Sequence, residues 1–233
     1  VGSEMCIRDR RMAMPSVAAQ IVNLLYNLVD RIYIGHIPGI GTDALAGIGV
    51  TGAIIILISA FSAIVSGGGA PLAAIALGQG DRKRAGQTLG NGFVLLLIFT
   101  LLTTTLTYLF MEPLLMFTGA SENTVGYAKD YLSIYLLGTL FVETSVGLNT
   151  FINTQGRPAI AMYSVLIGAV LNIILDPIFI FVMGMGVRGA ALATVISQAC
   201  SALWIVSFLT SKRASLRLES VSYTHLTLPT NRE

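Results

Sequence analysis

The sequence predicts an all-α integral membrane protein, a bundle of six transmembrane helices, and three observations carry that prediction. The chain of 233 residues is 54% hydrophobic and only 11% charged, against about 25% charge in ordinary soluble domains. Its apolar residues fall in long runs separated by polar or Gly- and Pro-rich punctuation. At about 20 apolar residues per span, this length holds roughly six or seven spans with short loops and leaves almost nothing for a soluble catalytic domain. A net charge of +2 gives no basic footprint for nucleic acid. Cys6 and Cys200 lie too far apart to suggest a zinc knuckle or a disulfide framework. His36 and His225 both lie outside the middle of any apolar run, which argues against a metal site or His-based catalysis at the membrane midplane. No cofactor is expected.

The spans follow in order. The first runs from near Met14 to Ile34 and stops at GHIPGIG. Thr42 and Asp43 form an N-cap pair for the second, from near Ala44 to about Leu77, which exceeds one span and is interrupted by Gly67, Gly68, Gly69 and Pro71. A kink or a strong tilt is expected there. The third covers about Gln87 to Met111, and the amphipathic stretch EPLLMFTG leads to the fourth, about Glu122 to Thr154. QGRP breaks the chain before the fifth, about Pro158 to Met183. GMGVRG then turns into the sixth, about Ala190 to Leu209.

The two ends read differently from everything between them. VGSEMCIRDR and VSYTHLTLPTNRE lack the hydropathy, glycine usage and turn chemistry of the rest, and both resemble translated sequencing-adapter read-through. The expected organisation is therefore a non-native tail over 1–10, a six-helix unit over 11–220 and a second non-native tail over 221–233.

Orientation follows from charge, because short cytoplasmic loops collect Lys and Arg. Arg11, Arg82, Lys83, Arg84, Arg157, Lys212, Arg213 and Arg217 fall on one side of the six spans, and only Lys129 and Arg188 on the other. Both ends of the six-helix unit are expected in the cytoplasm, with GHIPGIGTD, the TGASEN region and GMGV facing outward.

A charged side chain at the bilayer centre costs about 2.5 to 3.5 kcal/mol on insertion scales, so intramembrane carboxylates are functional candidates. Three occur: Asp30, Glu143 and Asp176. On the first span Gln20, Asn23, Asn27 and Asp30 fall within an arc of about 80°, with Arg31 at its border and able to pair with Asp30. The plainer reading of the amides is interhelical hydrogen bonding, worth about 0.6 kcal/mol each; an acid is a costly way to obtain the same effect. On the fifth span Asn172 and Asp176 point the same way, directly before Pro177, which lacks a backbone donor and frees a carbonyl one turn back. The sixth presents Thr194, Ser197, Gln198 and Ser201 within about 100°. If these faces converge they supply hard oxygen ligands for Na+ or two carboxylates able to take up protons. Tyr131, Tyr135, Glu143, Asn149 and Asn153 mark the fourth span, where the tyrosines read equally as an interfacial belt or as substrate-facing groups. Gln20, Asn23, Asn27, Tyr135, Glu143, Asn149 and Gln198 are thus the substrate-cavity candidates.

Four stretches, NLVDRIYIGHIPG, SGGGAPLAAIALGQGDRKRA, NTQGRP and LNIILDPIFIFVMGMGVRGAALATVISQ, resemble the multidrug and toxic compound extrusion (MATE) family, in family order and across about residues 11–219. The resemblance implies an N-terminal lobe of a transporter of roughly twelve helices in two six-helix lobes. It implies that Asp30 is the essential acid of the first helix, that Asn172, Asp176 and Thr194 complete a cation-coupling site, and that Pro15 is the position at which the first helix bends in some members. It further implies an antiporter in a prokaryotic plasma membrane, driven by Na+ or H+ and exporting small organic cations or other amphipathic drugs. The cavity would be completed by a C-terminal lobe beyond Ser220; no metal other than Na+ at the coupling site is expected. A lipid-linked oligosaccharide flippase of the same superfamily is the alternative, although it would favour several basic residues in the cavity and only Arg31 lies clearly inside a span. An intramembrane aspartyl enzyme using Asp30 and Asp176 is the alternative of another class, and it lacks the catalytic glycine and water-access context.

Overall fold

The computed structural model describes residues 2–211 and 214–216, with side chains from residue 13 onward. Every regular element among them is helical. The order is α1 (Gly2–Gly35), α2 (Gly41–Gly78), α3 (Arg82–Leu109), a short α4 (Met111–Phe117), α5 (Val125–Thr154), α6 (Pro158–Pro177) and α7 (Val187–Thr210), with a single π-helical turn at Ile178–Val182. The second expected tail, 221–233, and Lys212, Arg213 and Arg217 lie outside the described residues. α1 runs helically from Gly2 through Pro15 to Gly35.

Six spans were expected, and five of the described helical segments are long and apolar enough to cross a membrane. The exception is α1, whose length is ample but whose apolar content is diluted by Gln20, Asn23, Asn27, Asp30 and Arg31. The other boundaries shift by a few residues for local reasons. Asp81 caps α3 by accepting from the Arg84 amide at 2.9 Å, so that helix starts at Arg82 and not near Gln87. Thr42 and Asp43 do not cap α2; it begins at Gly41, inside the tight turn from α1, where a Cβ on Gly41 would overlap the Gly35 carbonyl. Asp43 then sits in the first turn, where a carboxylate complements the helix dipole.

The glycines and proline of the second span do not interrupt it: α2 continues for 38 residues through Gly67, Gly68, Gly69 and Pro71, a length of about 57 Å. With little water to compete for backbone groups in a bilayer, helical hydrogen bonding persists through residues that would end it in solution. Gly69 also has a packing reason, since a Cβ there would come 2.8 Å from Cζ of Phe151 on α5.

Packing divides the bundle into two sets that meet at α5. One is α2, α3 and α5; the other is α1, α6 and α7, with α7 closing firmly on α5. Small residues make these approaches possible, as in other membrane bundles. At Gly138 a Cβ would overlap the Val195 isopropyl group of α7, and at Gly147 it would overlap Leu96 of α3. A core of Ala73, Ala85, Leu89, Leu148, Phe151, Ile152, Ile205 and Leu209 fills the end of the bundle that holds the α2–α3 and α5–α6 turns. There the chain after α7 is also tied down. Leu216 is fully buried in that core, and Oε1 of Gln155 accepts the amides of Ser215 and Leu216 at 3.0 and 3.1 Å.

At the opposite end, Lys129 donates to Glu112 at 2.7 Å and Arg188 to Asp130 at 2.8 Å. Arg31 makes no ion pair with Asp30, contrary to the expectation from their adjacency. Consecutive helical residues point about 100° apart, and Arg31 is exposed where Asp30 is buried.

The Gly138–Val195 contact makes a direct prediction. Gly138→Ala should destabilise the lobe by about 1–3 kcal/mol through overpacking, read as a lower apparent melting temperature in detergent. Val195→Ala introduced into the same chain should recover most of that loss.

Candidate functional site

Three helices bring their polar positions to one place. Asp30 comes from α1, Asn172 and Asp176 from α6, and Thr194 from α7. The spacing of four between Asn172 and Asp176 puts both on one face of α6. There the amide Nδ2 of Asn172 donates to Asp176 Oδ1 at 3.1 Å and to Thr194 Oγ1 at 3.4 Å. The Asp30 carboxyl reaches Asp176 from across the α1–α6 contact, which is the main packing of α1. Asp176 is fully buried, Asn172 1% exposed and Asp30 9% exposed.

The backbone at this point is irregular for a reason visible in the sequence. Pro177 has no N–H to return to Ile173, so the regular ladder cannot continue through it. The chain widens into the π-helical turn, closed by Met183 N to Ile178 O at 2.8 Å. Gly189 lets α7 pack on this turn, since a Cβ there would lie 2.7 Å from the Phe179 carbonyl carbon.

Hydrogen-bond accounting separates the site from mere helix packing. Asn172 spends its donors on Asp176 and Thr194, and its Oδ1 is left without a partner; so are Asp30 Oδ1 and Asp176 Oδ2. All three atoms are hard oxygen acceptors, and two belong to carboxylates set side by side. Buried oxygens are ordinarily paired, and two adjacent carboxylates cannot both stay ionised without a cation between them. An oxygen-only set of this kind suits a proton or a hard cation such as Na+. Among the described residues no group of three or more His, Cys, Asp or Glu gathers to hold a transition metal. Ser197 of α7, 1% exposed and on the face of Thr194, also has a hydroxyl without a partner.

Sequence reasoning missed one member. Tyr26 lies beside Asn27, Asp30, Asp176 and Gln198. It sits one turn before Asp30, about 40° outside the arc of amides, and the i, i+4 spacing to Asp30 was the signal available. Gln198 thereby joins the edge of the site. Tyr131 and Tyr135 are not an interfacial belt: each is only 6% exposed, and their rings stack at 6.0 Å inside the bundle. Tyr131 reaches Thr194, and Tyr135 lies toward Glu143.

The remaining candidates lie elsewhere. Gln20, Asn23 and Asn27 are exposed along α1, where Asn27 Nδ2 donates to the Asn23 carbonyl at 2.7 Å. Asn149 ties α5 to α6 through Ser164 Oγ at 3.2 Å. Glu143 is buried between α5 and α2, where Ser59 donates to its Oε1 at 2.7 Å. Pro15 lies inside α1 with no break in the helix.

Comparison with known proteins identifies the fold and the family. The MatE family model matches residues 15–178. A multidrug export protein, MepA, of Staphylococcus haemolyticus is 28% identical over 204 residues, 88% of this chain and 45% of its own length. A FAD transporter of Shewanella oneidensis is 29% identical over 201 residues, 84% of this chain and 42% of its own. The crystal structure of a MATE protein in the bent conformation superposes with a TM-score of 0.82 and 30% identity, covering 90% of this chain and 46% of that one. The chain thus spans about half the length of the relatives it matches. The family model covers well over half of the chain, in a family of transporters and not of enzymes, which sets aside the aspartyl-enzyme reading: the chain belongs to the MatE family, the multidrug and toxic compound extrusion transporters.

Proposed function

We propose that this chain is the N-terminal lobe of a cation-coupled exporter in a prokaryotic plasma membrane, with Asp30, Asn172, Asp176 and Thr194 as the coupling site. The observation that carries the reading is the set of partnerless buried oxygens on Asp30, Asn172 and Asp176. A proton or Na+ arriving there removes repulsion between two carboxylates and draws α1 toward α6. The empty site favours separation of the same helices. Coupling requires only that cation and cargo prefer different arrangements of α1 against α6 and α7. A gradient of about 100 mV is worth about 2.3 kcal/mol per charge, enough for roughly fifty-fold accumulation.

The cargo reading, small organic cations and other amphipathic drugs, is supported by the MepA relative. The exposed amides of α1, Gln20, Asn23 and Asn27, give that cargo hydrogen-bonding groups on a face the second lobe would cover. Pro15 serves as the bend in α1 that opens or closes this face.

The complete gene, expressed in a pump-deficient bacterium, should lower ethidium accumulation, and Asp30→Asn or Asp176→Asn should bring the gradient from up to roughly fifty-fold down to unity with the protein still in the membrane. Dissipating the Na+ and H+ gradients separately then identifies the ion. Efflux by Asp30→Asn equal to wild type would make that acid structural. Export of FAD without ethidium would move the cargo to the class named for the Shewanella oneidensis relative.

Both ends of the lobe are cytoplasmic in this reading. The support is that the two basic residues of the other end, Lys129 and Arg188, are each neutralised by an ion pair, whereas Arg82, Lys83, Arg84 and Arg157 share one end. In a Cys6→Ser, Cys200→Ser background, Glu122→Cys should react with an impermeant maleimide in intact cells and Lys83→Cys only after permeabilisation.

A further inference from the structure

Glu143 belongs to neither the coupling site nor the exposed face of α1. It lies near the middle of the 30-residue α5 and is 1% exposed. Ser59 of α2 fixes one carboxyl oxygen, Oε1, at 2.7 Å, and Ser62, one turn further on, faces the same group. The other oxygen, Oε2, is buried without a partner.

The third wall is α3, and the packing register places it. Phe151 sits on Gly92 and Leu96 on Gly147, so four residues forward along α3 match four residues back along α5. Continuing that antiparallel register puts Thr100 level with Glu143 and Thr104 level with Thr139. Thr100 and Thr104 each bury a hydroxyl oxygen that has no partner. Glu143 thus lies level with the apolar middle of α3.

Counter-charges are distant. Between Ala44 and Gly80 on α2, and between Ala85 and Leu109 on α3, the sequence has no charged residue. Arg84 is 16 residues from Thr100 along α3, about 24 Å. Lys129 of α5 is paired with Glu112, and Arg188, the basic residue of α7, with Asp130. From α6 the acid is Asp176, engaged with Asp30. The titratable group that approaches Glu143 is Tyr135 on its own helix. An ionised carboxylate buried here would have no compensating charge. Sodium would need a shell of several oxygens, and the free atom of this carboxyl is one oxygen. A proton needs one oxygen and turns Oε2 into a donor.

We propose that Glu143 is a second proton-binding site of this lobe, with the Ser59 hydroxyl held on one carboxyl oxygen and the proton on the other. The proton comes from bulk water and returns to it. The stacked Tyr131–Tyr135 pair lies between this site and Thr194 of the coupling site.

The test is infrared spectroscopy of the purified full-length protein in lipid nanodiscs, in an Asp30→Asn, Asp176→Asn background that silences the coupling site. Its outcome is thus independent of whether the protein exports anything. At neutral pH a protonated-carboxyl stretch that shifts in D2O should be present and should be lost in Glu143→Gln. Ser59→Ala should move that stretch to higher frequency by removing the hydrogen bond on the carbonyl oxygen, and Ser59→Thr should restore it. Absence of the band, a band indifferent to Glu143→Gln or to Ser59→Ala, or a carboxylate stretch that responds to Na+ instead would overturn the assignment.

Discussion

Everything distinctive about this lobe follows from placing carboxylates where the surrounding medium cannot stabilise their charge. Asp30 and Asp176 are buried together among apolar helices, and an unpaired charge there is costly. The surroundings are arranged to orient these groups without neutralising them. Asn172 directs its amide at Asp176 and Thr194, Pro177 and the π-helical turn reshape the backbone beside the acid, and Gly189 admits α7. Arg31, next to Asp30 along α1, is exposed and makes no ion pair with it. In the coupling role proposed for it, a site completed by its own arginine would be permanently satisfied and could not respond to an ion from outside.

The same economy governs charge elsewhere. The two ion pairs sit at one end of the bundle, between side chains at least a third exposed, where their net contribution to stability is small. Cohesion comes instead from close contacts at small residues, such as Gly138 against Val195 and Gly147 against Leu96, as expected where lipid offers no hydrophobic drive between helices. Because α5 carries both contacts, it joins the α2–α3 set to the α1–α6–α7 set.

Much of this was legible in the sequence, for identifiable reasons. The apolar runs and their punctuation marked the helices, because composition and length alone decide what can span a bilayer. The spacing of Asn172 and Asp176, and the arc ending at Asp30, marked the site because helical periodicity converts spacing into direction. What was hidden depends on partners. Nothing in the local sequence says that Gly67 to Pro71 stays helical, that Tyr131 and Tyr135 turn inward, or that Asn149 is bound to Ser164; each is decided by a neighbouring helix distant in sequence. Tyr26 was overlooked because its neighbours come from three helices.

The Gln155 side chain, holding the amides of Ser215 and Leu216, has a mechanical meaning. Any chain that continues past Leu216 departs from a point fixed to the α5–α6 turn and not from the free end of α7. A tilt of the lobe therefore carries that point with it as a rigid lever arm. Leu216 thus follows the α5–α6 turn and not the last turn of α7 alone.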